Sequence, residues 1–214
     1  MFKDRIEAGE VLANKIKEEL GDRLTSGIVL GIPRGGIEIG LKVSNDLGLI
    51  FDSVATKKLP APDNEAVTIG AISEGGVIYW EDKICTDLGV TPEYKMQIAK
   101  VKLEELGRKE AFYRRGEPLP DLTGKIAILV DDCVVTGTTM KASIEAIRVF
   151  KPDEIVIAVP VIGLGEIDEL KQRADRVIYL EAPELLFSLS EWYADFEEAT
   201  DEELKQLMDK LLFL

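Results

Sequence analysis

The sequence predicts an α/β fold: a mostly parallel, twisted sheet with helices on both faces, and a small C-terminal helical appendage at about 182–214. Three observations lead there. Short apolar runs at Gly27–Ile32, Ile126–Val130 and Glu154–Val159 lack strict in-out alternation, as expected of strands covered on both faces. Amphipathic helical patterns separate them, and strands alternating with helices imply a parallel sheet. The 214 residues suit one domain, 1–214, with a substantial core, and no repeat or low-complexity tract divides them.

The elements follow in order. Asp4–Leu20 carries Ile6, Leu12, Ile16 and Leu20 at helical spacing and ends at Gly21-Asp22. The strand Gly27–Ile32 runs into Pro33-Arg34-Gly35-Gly36, and a second helical pattern spans Ile37 to about Leu47. Leu49–Ala55 reads as a strand leading to Lys57-Lys58, and Leu59–Val67 as a loop rich in proline and polar residues. Ile69–Ser73 and Val77–Trp80 form a hairpin across Glu74-Gly75-Gly76.

Thr91-Pro92 marks a helix start, with threonine as cap and proline at the first helical position. That helix reaches about Tyr113, has a weak point at Gly107, and can turn Ile98, Val101 and Leu106 inward. Arg114-Arg115-Gly116 closes it, where cations suit a helix C-terminus. Glu117–Gly124 is a rigid linker into the central strand. Beyond that strand a helix carries Met140, Ile144 and Ile147 on one face and stops at Lys151-Pro152. Glu154–Val159 and Val177–Leu180 are strands with helical Glu166–Arg173 between them. In the tail, Thr200-Asp201-Glu202-Glu203 is a capping box, and Leu204, Leu207, Met208 and Leu211 share a helix face.

Two turns carry the chemistry. The central strand ends in Asp131-Asp132, then Cys133-Val134-Val135, then Thr136-Gly137-Thr138-Thr139 opening a helix. The first amides of a helix lack intrahelical partners, and its dipole favours an anion there. Gly137 lets backbone approach a phosphate, and the threonines add hydroxyl donors. The carboxylates repel phosphate but accept hydrogen bonds from sugar hydroxyls. Phosphate at the turn and hydroxyls at the acids describe a ribose 5-phosphate. The Pro-Arg-Gly-Gly turn is a second anion cradle: glycines let successive amides point into one concavity, and Arg34 can fork onto a phosphate. Both turns follow strand C-termini, where ligands bind in such sheets. The plain alternatives are an ordinary capped strand-turn-helix and a tight turn.

Composition narrows the classes. A net charge of −14 argues against a broad nucleic-acid surface, and much of the excess lies in Glu181–Leu214, with ten acids and two lysines. No apolar run approaches the ~20 residues of a membrane span. The segment MFKDRIEAGE has no apolar signal core, so a cytoplasmic, soluble protein is expected. The chain has no histidine, which leaves out Ser-His and Cys-His catalysis. Cys85 and Cys133 are not expected to form a disulfide, and Cys133 reads as a small buried hydrophobe, not a nucleophile. No dedicated metal cage is visible.

A hydrophobic strand, Asp-Asp, two apolar residues and Thr-Gly-x-Thr resembles the phosphoribosyl pyrophosphate (PRPP) loop of the type I phosphoribosyltransferases. The resemblance extends through DRIEAGEVLA, IPRGGIEIG, KKLPAP with IGAISEGG, and WYADFEEATDEEL, and points to a microbial group of that family whose acceptor is unassigned. It implies transfer of ribose 5-phosphate from PRPP to a nucleophile, with release of pyrophosphate. By that resemblance Asp131 and Asp132 hold the ribose hydroxyls, Thr136, Gly137, Thr138 and Thr139 hold the 5-phosphate, and Val135 lies near the acceptor base. Arg34, Gly35 and Gly36 hold pyrophosphate, and Mg2+ travels mainly on PRPP itself.

Lys58 has two readings, a pyrophosphate contact or a solvated cation. Leu59–Val67 is the candidate mobile flap or a passive loop. Phe187, Trp192 and Tyr193 form either the floor of an acceptor hood or, with Phe196, an anchor for the last helix; the anchor is preferred. Members that use 6-oxopurines have an acid at the position of Val135, so the aliphatic side chain disfavours that chemistry. Members of the family often dimerise, but nothing in the sequence marks an interface. The alternative function is a PRPP-binding regulator without transfer, and a phosphosugar hydrolase or scaffold is a plainer third.

Overall fold

The computed structural model describes residues 1–186, 188–197 and 199–211, with Lys210 and Leu211 by backbone only. Phe187 and the Leu211 side chain therefore lie outside what is described. Helix α1 (Arg5–Leu20) is capped by Asp4, whose carboxylate accepts from the Glu7 amide at 2.8 Å. Strand β1 (Gly27–Gly31), helix α2 (Gly35–Leu47) and strand β2 (Ile50–Ser53) follow. Next come β3 (Thr56–Ala61), β4 (Asn64–Ser73) and β5 (Val77–Trp80), then helices α3 (Asp82–Asp87) and α4 (Pro92–Arg114). The second half runs β6 (Ile126–Val130), β7 (Cys133–Val134), α5 (Thr138–Val149), β8 (Glu154–Ile162), α6 (Ile167–Arg173), β9 (Arg176–Glu181) and α7 (Asp201–Leu211).

The main sheet is parallel throughout: β2 pairs β1, β1 pairs β6, β6 and β7 pair β8, and β8 pairs β9. Strand β7 resumes the line of β6 along β8. Val130 pairs with Ala158 and Cys133 with Val161, so Asp131-Asp132 falls in the gap, opposite Val159-Pro160. Pro160 has no amide to donate, which suits a break in the ladder. Helices α1 and α2 cover one face through Leu12, Ile16, Ile39 and Val43 against Val29, Ile128 and Val156. Helices α5 and α6 cover the other through Ile144, Ile147 and Leu170 against Leu30, Leu129 and Ile157. Among the described residues no helix is long and apolar enough to cross a membrane.

The remaining strands form a separate antiparallel sheet, β3-β4-β5, packed under α4. Here the sequence reading needs correction. Leu59–Val67 is not a loop: Leu59–Ala61 belongs to β3 and Asn64–Val67 to β4, turning at Pro62-Asp63. Its polar residues and prolines are carried at a sheet edge, where the register shifts around Pro60. Leu59 and Ala61 are buried with Ile69, Ile72 and Leu106, and the Tyr94 hydroxyl donates to the Pro60 carbonyl at 3.0 Å.

Other expectations shift in detail. Ile6, Val101 and Leu207 face solvent, whereas Leu12, Ile16, Leu20, Leu106, Leu204 and Met208 are buried. Helix α4 is continuous through Gly107. The linker into β6 is pinned by buried Leu119 and Leu122. Arg114 is not merely a cap: its guanidinium forks onto Glu74 with both side chains 7% exposed, and Nη1 donates to the Ser53 carbonyl at 2.9 Å. This pair ties α4 to the β4–β5 hairpin and to the end of β2. The capping box at α7 forms as read, with the Thr200 amide donating to Glu203 Oε2 and the Glu203 amide donating to Thr200 Oγ1. Leu204 and Met208 then pack on Ile37, Leu41 and Tyr113.

Arg114→Met leaves Glu74 buried without its partner and is expected to cost about 3 kcal/mol, read as a lower urea midpoint. The added change Glu74→Gln should recover part of that loss. Asp52 lines a cavity of about 590 Å³ beside Phe51 and Met208, and burial pushes its carboxyl up to about 6. The folded state therefore keeps this proton to higher pH than the unfolded chain does. The associated stability is present below about pH 4 and lost as pH rises through about 6. Asp52→Asn should raise the melting temperature more at pH 8 than at pH 4.

Candidate active site

Strands β1 and β6 are parallel neighbours, with Gly31 paired to Val130, so their following turns leave the sheet side by side. The Ile32 amide donates to the Val130 carbonyl at 2.9 Å and extends the pairing one step beyond β1. The Pro33-Arg34 peptide bond is cis. At Gly35 a side chain would run into the Asp132 carboxylate, and at Gly36 into the Val130 carbonyl and the Asp131 backbone. The two turns thus touch, and only glycine permits the approach.

A cavity of about 340 Å³ opens between them, within the usual range for small-molecule sites. Arg34, Gly35, Lys58, Asp131 and Asp132 line it, as do Val135, Thr136, Gly137, Thr138 and Thr139. Of the residues named from sequence in the two turns, together with Lys58, the structure brings all except Gly36 to this cavity. That residue does not reach the cavity, and its amide donates to the Ile32 carbonyl at 3.0 Å, so it serves close packing and not anion binding. Lys58 is exposed on β3, and its charge acts on Asp131. Lys57, on the opposite side of the strand, pairs with Glu105 at 3.4 Å and lines a different cleft. Val135 is 47% exposed at the cavity wall.

Gly137 adopts φ 66° as the cap of α5, and hydrogen bonding inside the helix starts with the Lys141 amide donating to the Gly137 carbonyl. The preceding amides lack partners inside the helix and make a cradle of donors at the cavity. One donor of that cradle is already engaged: Thr138 Oγ1 donates to Glu81 Oε1 at 2.8 Å. Behind it the buried Lys141 ammonium lies 2.8 Å from Glu169, 3.5 Å from Glu81 and 3.6 Å from Glu166. Burial acts to lower the Lys141 pKa, but the Glu169 hydrogen bond and these charges outweigh it and raise the value. The ammonium offsets carboxylates that would otherwise crowd the cradle.

The two aspartates are held differently. Burial, and then the charge of Asp132, push the Asp131 carboxyl well above the ordinary carboxylate range. The Asp132 amide donates to Asp131 Oδ1 at 2.9 Å. Asp132 turns toward α1, where Arg5 Nε donates to Oδ2 at 3.0 Å and Nη2 lies 3.0 Å from the same oxygen. Burial raises the pKa of the Cys133 thiol, which fits a packing role and not a nucleophile.

Sequence reasoning missed Arg5, Glu81, Lys141 and Leu189. Arg5 reads as a surface cation in the first turn of an amphipathic helix, yet it is 2% exposed. Leu189 brings the tail to the cavity wall. Tyr193 is buried among Phe2, Phe196 and the α1 face, and does not form a floor open to an acceptor. Trp192 packs half-buried against the same cluster.

A family model described as the phosphoribosyl transferase domain matches residues 3–187. The chain belongs to that family. It is 31% identical over 98% of its length to Rv0571c of Mycobacterium tuberculosis, provisionally named a phosphoribosyl transferase. The chain spans 47% of that protein, about half the length of the curated relatives it matches. The crystal structure of TT1426 from Thermus thermophilus superposes with a TM-score of 0.80 at 33% identity, covering 97% of each chain.

Gly36→Ala tests the contact between the turns without touching the cavity. The added methyl meets backbone that cannot swing away, so a loss of about 1–3 kcal/mol is expected in urea unfolding.

Proposed function

We propose that this phosphoribosyl transferase family member transfers ribose 5-phosphate from PRPP to a nucleophilic acceptor and releases pyrophosphate. The observation that carries the reading is that both anion turns and the acid pair open onto one cavity. A pentose with phosphate at one end and pyrophosphate at the other needs that spacing of partners on one sheet edge.

In this reading the α5 amides and the hydroxyls of Thr136 and Thr139 take the 5-phosphate. Asp131 and Asp132 accept from the ribose hydroxyls, and Arg34 with the Gly35 backbone holds the pyrophosphate. Lys58 adds positive charge on the exposed side. During transfer the bond from ribose C1 to the pyrophosphate oxygen breaks, and a bond from C1 to the acceptor forms. Charge moves onto the leaving group while the sugar becomes cationic, so fixed charges placed beforehand supply the stabilisation. Among the described residues no group of three or more acid or cysteine side chains is placed to hold a metal ion. Magnesium would be carried mainly by PRPP oxygens and water, where it would offset pyrophosphate charge. Val135 and Leu189 give the acceptor an aliphatic wall without a proton-transfer group. That favours acceptors other than 6-oxopurines.

Asp131→Asn combined with Asp132→Asn should weaken PRPP binding at least about tenfold and abolish acceptor-dependent pyrophosphate release. Calorimetric titration of PRPP with magnesium reads the first effect, and a screen of bases and amines the second. Wild-type affinity in the double variant would remove the acid pair from the site.

A further inference from the structure

We propose that Arg5 is a positioning residue of the ribose site, which grips Asp132 and so fixes the orientation and ionisation of the acid pair. The inference rests on the reading that this pair meets the ribose hydroxyls.

A guanidinium at 2% exposure stays charged and costs several kcal/mol to bury unless it is well partnered. Its partners here are specific. Nε and Nη2 both lie 3.0 Å from Asp132 Oδ2. Nη1 donates to the Glu197 carbonyl at 3.0 Å and lies 3.7 Å from Glu38 on α2. The guanidinium sits over the rings of Phe196 at 4.7 Å and Tyr193 at 5.7 Å. The Tyr193 hydroxyl in turn donates to the Asp132 backbone carbonyl at 2.8 Å. One aspartate is therefore held by its side chain from α1 and by its backbone from the tail. Gly35, which has no side chain, leaves room for the Asp132 carboxylate.

The electrostatics assign this grip a chemical role. Two adjacent carboxylates in a half-closed site disfavour joint ionisation, and a protonated acid is a poorer acceptor for a sugar hydroxyl. The groups facing the pair are Arg5 from α1, Glu38 from α2, Lys58 from β3, and the Cys133 thiol and Tyr193 hydroxyl alongside. Arg5 and Lys58 both favour the ionised form of Asp131, Lys109 also feels the charge of Asp131, and Arg34 lines the same cavity. Lys58 is exposed and screened by solvent. It still has the larger effect on Asp131, whereas Arg5 is buried and touches the Asp132 carboxylate directly at 3.0 Å.

The test compares wild type, Arg5→Gln, Arg5→Lys, Asp132→Asn and Arg5→Gln with Asp132→Asn, by PRPP calorimetry at several pH values and by thermal melting. Arg5→Gln should weaken PRPP about tenfold near pH 6 and much less near pH 8, with the acidic limb moved up by about one pH unit. Arg5→Lys should restore much of the profile. In melting, the two changes together should cost less than the sum of each alone, since the amide no longer needs a cation. A wild-type pH profile in Arg5→Gln overturns the proposal. So does a uniform, pH-independent loss that lysine does not rescue, because that marks a packing role alone. PRPP binding by wild type with an indifferent Arg5→Gln sinks this inference only. Absence of PRPP binding by wild type at every pH sinks the transferase reading along with it.

Discussion

The site depends on one pairing, β1 beside β6 and parallel to it. Parallel neighbours end at the same edge, so whatever follows the two strands is forced together. Here the turns press so close that two glycine positions face the other strand's carbonyl and carboxylate. The cavity is the space left where they diverge. Everything that approaches it, from the antiparallel sheet above to the tail beside it, is arranged around an edge already fixed by backbone hydrogen bonds.

Charge is then placed against the grain of the whole molecule. The protein is strongly acidic, and the cradle of amides opening α5 has Glu81 and Glu166 close by. The fold answers locally, with Lys141 behind the cradle, Arg34 and Lys58 at the mouth, and Arg5 behind the acid pair. Each cation comes from a different element. The balance at the site therefore reports on the assembly of the whole domain and not on any one motif.

Much of this was legible in the sequence. The apolar runs marked the covered strands because both faces of the sheet are buried. Thr91-Pro92 and the Thr200–Glu203 box marked helix starts because capping is a local interaction. The two turns were found because glycine, hydroxyl and acid at strand ends have a local chemical meaning. What stayed hidden depends on distant partners. Leu59–Val67 looks like a loop by composition and becomes two strands because α4 covers it with Leu106 and Tyr94. Arg114 looks like a helix-end cation until Glu74 arrives to bury it. Arg5 sits at a helical position where charge ordinarily means solvent, and only the fold brings Asp132 to it. Tyr193 carries no sign in sequence that its hydroxyl bonds to the backbone of an acid in the central turn.

The N-terminal segment and the tail meet through backbone hydrogen bonds, from the Phe2 amide to the Trp192 carbonyl and from the Ala194 amide to the Phe2 carbonyl. The clamp on Asp132 thus gathers residues from the start, middle and end of the described chain. On a ribosome, Arg5 and Asp132 emerge well before Tyr193 and Glu197. The sheet can pair while the clamp is still half made, so a nascent chain holds both turns before it holds the finished acid pair.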